Sequence, residues 1–552
     1  MKSFKKQSNL LRELTQQLAM IISETNGISL EDTLDLLSSK HLPHMSKEAI
    51  HAIDEFRTLL TKFTINQTEI EELLEHPVSH ALYEFFRLFP LKYREEHTHL
   101  TGALSADFIY PRLKKLLASA NGKRIRKQIE EVYGKKYASI RSKKDVNRLI
   151  RLAKKERFGR YLQILMLPKL ILTSKEAHAA AAYHMANDMH TRYNIGHIRL
   201  KFMMSRKNST HESEMIPGIE HLTPEDVVLG LYEGFAAFQQ KHPDFQFILS
   251  PIFRKEEEYF DSSRFATKQE DIEYQTNIML KLIEKHPKLR PHLCEIDTVG
   301  DEKYFYRKQH FLKMKKAFRK LQFAGFKIRS HHGETWKTLR QGIQAVDNAM
   351  NIWHIDTLEH GLVLGVNPNY YFHSLYQRVL TWNAHGKQLV KETAEYNEIM
   401  DMEWNENEAV CNKLVAGKQL NQKEILQFTK VKFHTAREVE HYQHDVLNRM
   451  ISKGVSLVAL PSSNFRLTHV VPDYKDHPFS WWEKKGVQLG VGTDNYITLD
   501  TDYIKELLIL LFMDPQYLKI TKLLMVATGE RRRPYISSVL WDMRKLVAGN
   551  HV

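Results

Sequence analysis

Four short stretches of this chain carry side chains able to do chemistry together. In Arg329-Ser330-His331-His332-Gly333-Glu334-Thr335, which follows the strand-like run Phe326-Lys327-Ile328, a Gly forces a turn. That turn places a candidate metal ligand, His331, and a candidate proton carrier, Glu334, on one loop. His97-Thr98-His99 offers imidazoles at i and i+2, which point to the same side of a strand and can grip one ion together. His360 and Asp494 each close a further short run. Three imidazoles and one carboxylate suit zinc and leave room for a bound water, whose pKa the metal lowers to roughly 7. The chemistry these residue types predict is hydrolysis at neutral pH.

Such groups act in concert only if a scaffold brings the ends of distant segments together. From about residue 90, short strand-like runs alternate with long helical ones. The runs end near His99, Met204, Ser250, Asp297, His331, His360, Leu460 and Asp494, and several are apolar throughout, as strands of a parallel sheet are. Eight such units in about 400 residues predict a (β/α)8 barrel, in which catalytic groups stand at the C-terminal ends of the strands. No Gly-x-Gly-x-x-Gly follows a strand, which argues against a doubly wound dinucleotide-binding sheet. Residues 1–88 read as an N-terminal helical extension, with Leu10, Leu11, Leu14, Leu18, Ile21 and Ile22 at helical spacing. Its expected role is packing or homo-oligomerisation. Residues 89–552 form the barrel. The connection after Gly361 is far longer than the roughly 30 residues of one βαβ unit. Residues 366–440 therefore read as a helical insertion after strand six, placed to roof the barrel mouth.

The wording and order of these pieces resemble the adenosine deaminase family of metal-dependent amidohydrolases, as an enlarged bacterial-type member. His97-Thr98-His99-Leu100-Thr101-Gly102-Ala103 resembles its His-x-His-Leu-Asp-Gly start, and Ile296-Asp297-Thr298-Val299-Gly300-Asp301-Glu302 its strand-four Asp-x-x-Gly-Asp-Glu. His331-His332-Gly333-Glu334, Glu359-His360-Gly361, Pro461-Ser462-Ser463-Asn464 and Thr493-Asp494-Asn495 match the later motifs in order. The resemblance implies one zinc ion per chain on His97, His99, His331 and Asp494. It implies that Glu334 hands a proton to purine N1, that His360 orients or deprotonates the attacking water, and that Gly300 offers its backbone to N3. The implied reaction is hydrolytic deamination of an adenine nucleoside or nucleotide to the inosine product with release of ammonia. Two positions depart from the pattern. Thr101 stands where the family has an Asp on the ribose 5′ side, which removes a repulsion against a 5′-phosphate. Asn495 stands where an Asp faces N7, and an amide can still donate to that acceptor. His332 replaces an Ala and is expected to pack.

Composition bounds the rest. With 42% hydrophobic and 26% charged residues, the 552-residue chain is globular, and its aliphatic runs are too short to span a bilayer. Two cysteines, Cys294 and Cys411, exclude a disulfide framework and a Cys-based zinc site; a cytoplasmic protein is expected. The net charge of +14 is concentrated: residues 112–160 hold 18 Lys/Arg against 4 Asp/Glu, and the remainder is neutral. Two readings of that stretch stay open, a solvated helical face or a surface for phosphate, nucleotide or nucleic acid. The second makes the chain a nucleotide- or nucleic-acid-binding protein on a deaminase-like barrel, a layout loosely like that of enlarged deaminases in bacterial defence systems.

Overall fold

Eight parallel strands follow one another around a single sheet: β1 (Tyr93–His99), β2 (Ile195–Phe202), β3 (Gln246–Arg254), β4 (Glu295–Val299), β5 (Lys327–His332), β6 (Thr357–His360), β7 (Ser456–Ala459) and β8 (Leu489–Val491). A parallel bridge between Thr98 and Asp494 closes the ring: His99 donates its N–H to the Asp494 carbonyl at 2.8 Å, and Asp494 donates to His97 at 2.8 Å. The protein is thus a (β/α)8 barrel, as the spacing of the runs predicts. The computed structural model describes residues 2–39, 45–137, 139–154, 156, 158–204, 219–468 and 471–549; Lys155 and Arg157 of the basic stretch lie outside the described residues.

The strand ends fall near where the sequence places them, and β3 departs most. β3 continues past Ser250 to Arg254. Pro251 does not end the strand, and the residue pairs with Phe202 of β2. β1 is poorly apolar because its buried carboxyl groups find polar partners within the barrel. Glu95, fully buried, accepts the N–H groups of His97 (3.0 Å) and Thr493 (3.1 Å), while Glu96 takes Arg94 at 2.9 Å and Arg199 at 2.6 Å.

The five N-terminal helices, the first Lys2–Glu24 and the last Pro77–Arg87, pack onto the C-terminal end of the chain. Ile520 and Thr521 donate backbone N–H groups to Ile28 (3.1 Å) and Gly27 (3.2 Å), and the rings of Phe56 and Phe512 lie 5.7 Å apart. One apolar cluster runs from Leu14 and Leu18 through the barrel to Leu540.

After β6 the chain forms helices Pro368–Ala384, Ala394–Asp401, Glu408–Val415 and Gln422–Ser452. The last is one continuous 31-residue helix, so no break occurs at residue 440. Contrary to the expected roof, no residue of 366–440 lines the cavity at the strand ends. The insertion packs against helix Leu339–Asn348 and touches the loop after β4, where Tyr304 donates to Glu392 at 2.6 Å, and it borders a separate cleft of about 720 Å³ with residues 472–481. Its anchor is Glu398, which accepts the Leu339 N–H at 2.7 Å and the Tyr371 hydroxyl at 2.8 Å.

Burial pushes the Glu398 carboxyl up to about 8 from 4.5. The folded-state pKa lies above the unfolded one, so the folded chain keeps a proton that the unfolded chain releases across this range. The Glu398 contribution is therefore complete below about pH 4.5 and is lost as pH rises through 8, by at most about 1.4 kcal/mol per pH unit. Glu398→Gln should flatten the fall in stability between pH 5 and 8, measured as urea midpoints of variant and parent at pH 5.5, 7 and 8.5. Parallel curves would show that Glu398 titrates alike folded and unfolded.

Candidate active site

The ends of β1, β5, β6 and β8 bring the expected residues to one place. His97 and His99 extend from β1, with their Nε2 atoms 3.1 Å apart. Asp494, just beyond β8, places Oδ1 3.5 Å from His99 Nε2 and 3.9 Å from His97 Nε2. The His331 ring centroid lies 4.6 Å from that of His97, and His360 lies 5.1 Å from His331. Donor atoms of His97, His99 and Asp494 all lie within 4.8 Å of one another, as do those of His97, His331 and His360.

This donor set fits a metal ion. Ligands at 2.0–2.1 Å in a tetrahedron stand about 3.3 Å apart, inside the spread of separations seen here. Two imidazole Nε2 atoms 3.1 Å apart can share a cation as readily as one N–H···N bond. Burial pushes both His97 and His331 well below the ordinary imidazole pKa, toward the neutral form that binds metal. His360 is brought as close to this group as the expected ligands, but its Nδ1 faces the Asn464 side-chain oxygen at 2.8 Å, and its Nε2 faces Glu334 at 3.6 Å. Asn464 in turn donates to His477 Nε2 at 3.0 Å.

Backbone strain marks the same residues. His360 has φ +66°, a left-handed conformation that a His seldom adopts, and Asp494 has φ +57°, which an Asp adopts more readily. Ser463 fixes the Asp494 carboxylate, donating to Oδ2 at 2.6 Å.

The Glu334 loop is shaped from below. The buried carboxylate of Glu302 accepts the N–H groups of Gly333 (2.8 Å), Glu334 (2.7 Å) and Thr335 (2.8 Å), so the loop holds its form without help from the Glu334 side chain. Burial raises the Glu334 carboxyl, with His360 opposing. His360 ends above its ordinary value because Glu334 and Asp494 outweigh the downward push of burial. The two groups face each other as an ion pair at 3.6 Å.

All these groups face a cavity of about 570 Å³, lined by His99, Thr101, Gly300, His331, Glu334, His360, Asp494 and Asn495, with His97 buried behind them. Gly300 has φ +113°, and a Cβ there would come within 2.0 Å of the Glu256 carboxylate, so only bare backbone fits between that side chain and the cavity. Asn495 lines the wall, but its amide nitrogen already donates to the Tyr161 hydroxyl and, at 2.5 Å, to Asp494 Oδ1. The nearest approach is at Gly102, where a Cβ would meet the Asn495 oxygen at 1.7 Å. His332 packs as expected, fully buried between Phe311 and Trp353 with Nδ1 on the Ser330 hydroxyl.

Three features escaped the sequence reading. The cover over the cavity from the β1–β2 connection is Tyr161, Gln163, Leu165 and Lys169, just past the basic stretch, and none of the described residues of 112–160 lines it. Glu302 and Glu359 were legible only as letters within motifs. Lys201, buried at the end of β2, carried no signal at all.

No protein-family model and no curated protein matches the chain. Solved structures similar to it include a zinc-bound amidohydrolase from Burkhoderia ambifaria, 13% identical over 85% of this chain and 94% of its own, with a TM-score of 0.49. The N6-methyl-AMP deaminase of Arabidopsis thaliana is 11% identical over 84% and 99%, with a TM-score of 0.45. Arabidopsis ADAL in complex with IMP is 12% identical over 84% and 99%, with a TM-score of 0.47. The chemistry of the site follows from its own residues. Among the described residues no helix is long and apolar enough to cross a membrane.

Proposed function

We propose that this chain is a zinc-dependent aminohydrolase that converts an adenine-containing nucleoside or nucleotide to its inosine product and ammonia. The observation that carries this reading is the meeting, at one cavity, of the His97, His99, His331 and Asp494 donors with the Glu334–His360 pair, 3.6 Å apart. A zinc ion bound there supplies a water of lowered pKa and Lewis acidity. In this reading Glu334 gives a proton to N1 of the ring, which makes C6 electrophilic. His360, with Nδ1 held by Asn464, turns Nε2 toward the attacking water. Water adds across C6 and N1, the bond from C6 to the exocyclic amino nitrogen breaks, and that nitrogen takes the proton given up by the added hydroxyl as C6=O forms and departs as ammonia. Gly300 presents backbone to N3. Asn495 reaches N7 by giving up its bond to Tyr161 or the one to Asp494. The direct test is ammonia release from zinc-loaded protein with adenosine, 2′-deoxyadenosine, AMP, ATP and adenine. Failure on all five would refute the reading.

Among these substrates a 5′-phosphorylated one should have the higher kcat/KM. Thr101 lines the cavity where a carboxylate would repel phosphate. The basic helices lie outside the cavity, so their influence is that of a long-range field, screened beyond about 8–10 Å at physiological salt. Lys114, Lys115, Lys123, Arg124, Lys135 and Lys144 are exposed and form no ion pair among the described residues. Reversing Lys123, Arg124, Arg126 and Lys127 together should raise KM for the phosphorylated compound several-fold at low salt, an effect that fades as salt is added. A kinetically silent quadruple variant, with adenosine preferred at low salt, would assign those helices to a solvated face. The unpaired cations also favour a second reading, a nucleic-acid surface on the same helices; oligonucleotide binding that weakens in the same variant would support it.

A further inference from the structure

Beside the metal-binding residues lies a group of buried charges whose centre is Lys201, itself 0% exposed and bordering the cavity. The residue belongs to β2, and its ammonium crosses the barrel interior to two strands on other sides, β4 and β6. It donates to Asp297 Oδ2 and, at 2.8 Å, to Glu359 Oε1, and all three side chains are fully buried. Each carboxylate then faces an imidazole. Glu359 Oε2 lies 2.8 Å from His97 Nδ1, and Asp297 meets His331 Nδ1 with both oxygens at 3.1 Å. Glu359 also accepts from Arg329 Nε at 2.5 Å, and Asp297 from the Thr298 N–H at 2.7 Å.

We infer that Lys201 is a positioning residue for the metal centre: by holding Asp297 and Glu359 at once, it sets the orientation of both His331 and His97. This role rests on the proposed metal site and deepens it. The physical reason is tautomer and aim. An imidazole whose Nδ1 faces a carboxylate carries its proton there, which leaves Nε2 as the lone-pair donor and fixes the ring plane. His97 and His331 come from β1 and β5, on opposite sides of the barrel, and each carboxylate alone orients only one of them. Lys201 joins the two supports into one rigid unit, so the two Nε2 atoms are set relative to each other before any ion arrives. A buried ammonium with two carboxylates is costly to desolvate, and replacing the set by apolar residues would often be neutral or stabilising. Its contacts with both carboxylates that face the ligand imidazoles, at the strand ends beside the cavity, are what orienting those imidazoles requires.

The test compares the full chain with Lys201→Met and Lys201→Arg. Zinc affinity is read by competition with a chromophoric chelator, and ligand geometry by the visible absorption of the cobalt(II)-substituted protein. Lys201→Met should weaken zinc binding about 10–100-fold, the range for loss of an outer-shell partner, and alter the cobalt spectrum. Lys201→Arg, which keeps two donors, should recover most of the affinity. Lys201→Met strands two carboxylates in the core; if it does not fold, Asp297→Asn, nearly the same shape, replaces it and should weaken zinc binding about tenfold through His331 alone. A folded Lys201→Met, or in its place Asp297→Asn, with zinc affinity within about twofold of the parent and an unchanged cobalt spectrum overturns the role. A parent that binds neither ion overturns the metal reading and this role together, whereas a parent that binds while Lys201→Met binds equally overturns the role alone.

Discussion

Glu334→Gln should lower kcat by about 10²–10⁴-fold, the range for a positioned general acid, while zinc content and KM stay near those of the parent. That loss corresponds to about 3–5 kcal/mol of transition-state stabilisation. An amide of the same shape can still donate a hydrogen bond toward the ring but has no proton to transfer. The loop itself should survive the change, because its three N–H groups are held by Glu302 and not by the Glu334 side chain. The contact with His360, at 3.6 Å, is lost, but so is the like-charge pressure from Asp494, and the two changes oppose each other. Measured turnover within a few-fold of the parent would show that Glu334 is a structural residue, and the proton would have to come from elsewhere in the cavity.

What the sequence made legible, and what it did not, follows from how each contact is encoded. The ends of the strands were readable because a short apolar run followed by a ligand-type residue or a turn is a local signal; β5 and β8 are such cases. β1 was readable only by its His-x-His, since its charges look like those of an exposed segment. The structure shows why: Glu95, Glu96 and His97 each meet a partner on another segment, Thr493, Arg199 or Glu359. Lys201 shows the same blindness in its sharpest form. A lysine in a strand is read as a solvent-facing residue, and only the closure of the barrel brings Asp297 and Glu359, roughly a hundred and more residues away in the chain, to its ammonium. The insertion after β6 was visible as excess length, but its direction was not. Length says nothing about whether helices fold over a cavity or beside it, and here the buried Glu398 ties them to helix Leu339–Asn348.

Purified protein should carry about one zinc per chain by elemental analysis, and His331→Ala or Asp494→Asn should lose it. The choice of Asn at 494 matters. The residue sits at φ +57°, where Ala would add about 1–2 kcal/mol of backbone strain, whereas Asn tolerates that conformation and removes only the charge. With about 10–16 kcal/mol of apparent binding free energy shared among four ligands, deleting one should weaken affinity by on the order of 10²–10³-fold. The same loss should be visible without any activity measurement. An ion present at a thousand times its Kd stabilises the fold by about 4 kcal/mol, so the parent should show a clear drop in Tm on chelation and the two variants almost none. His332→Ala is the matching control: it removes a buried ring packed on Phe311 and Trp353, so it should lower Tm yet keep the chelation response. Ligand variants that fold, retain zinc and still respond to chelator would move the metal away from this cluster, and with it the proposed reaction.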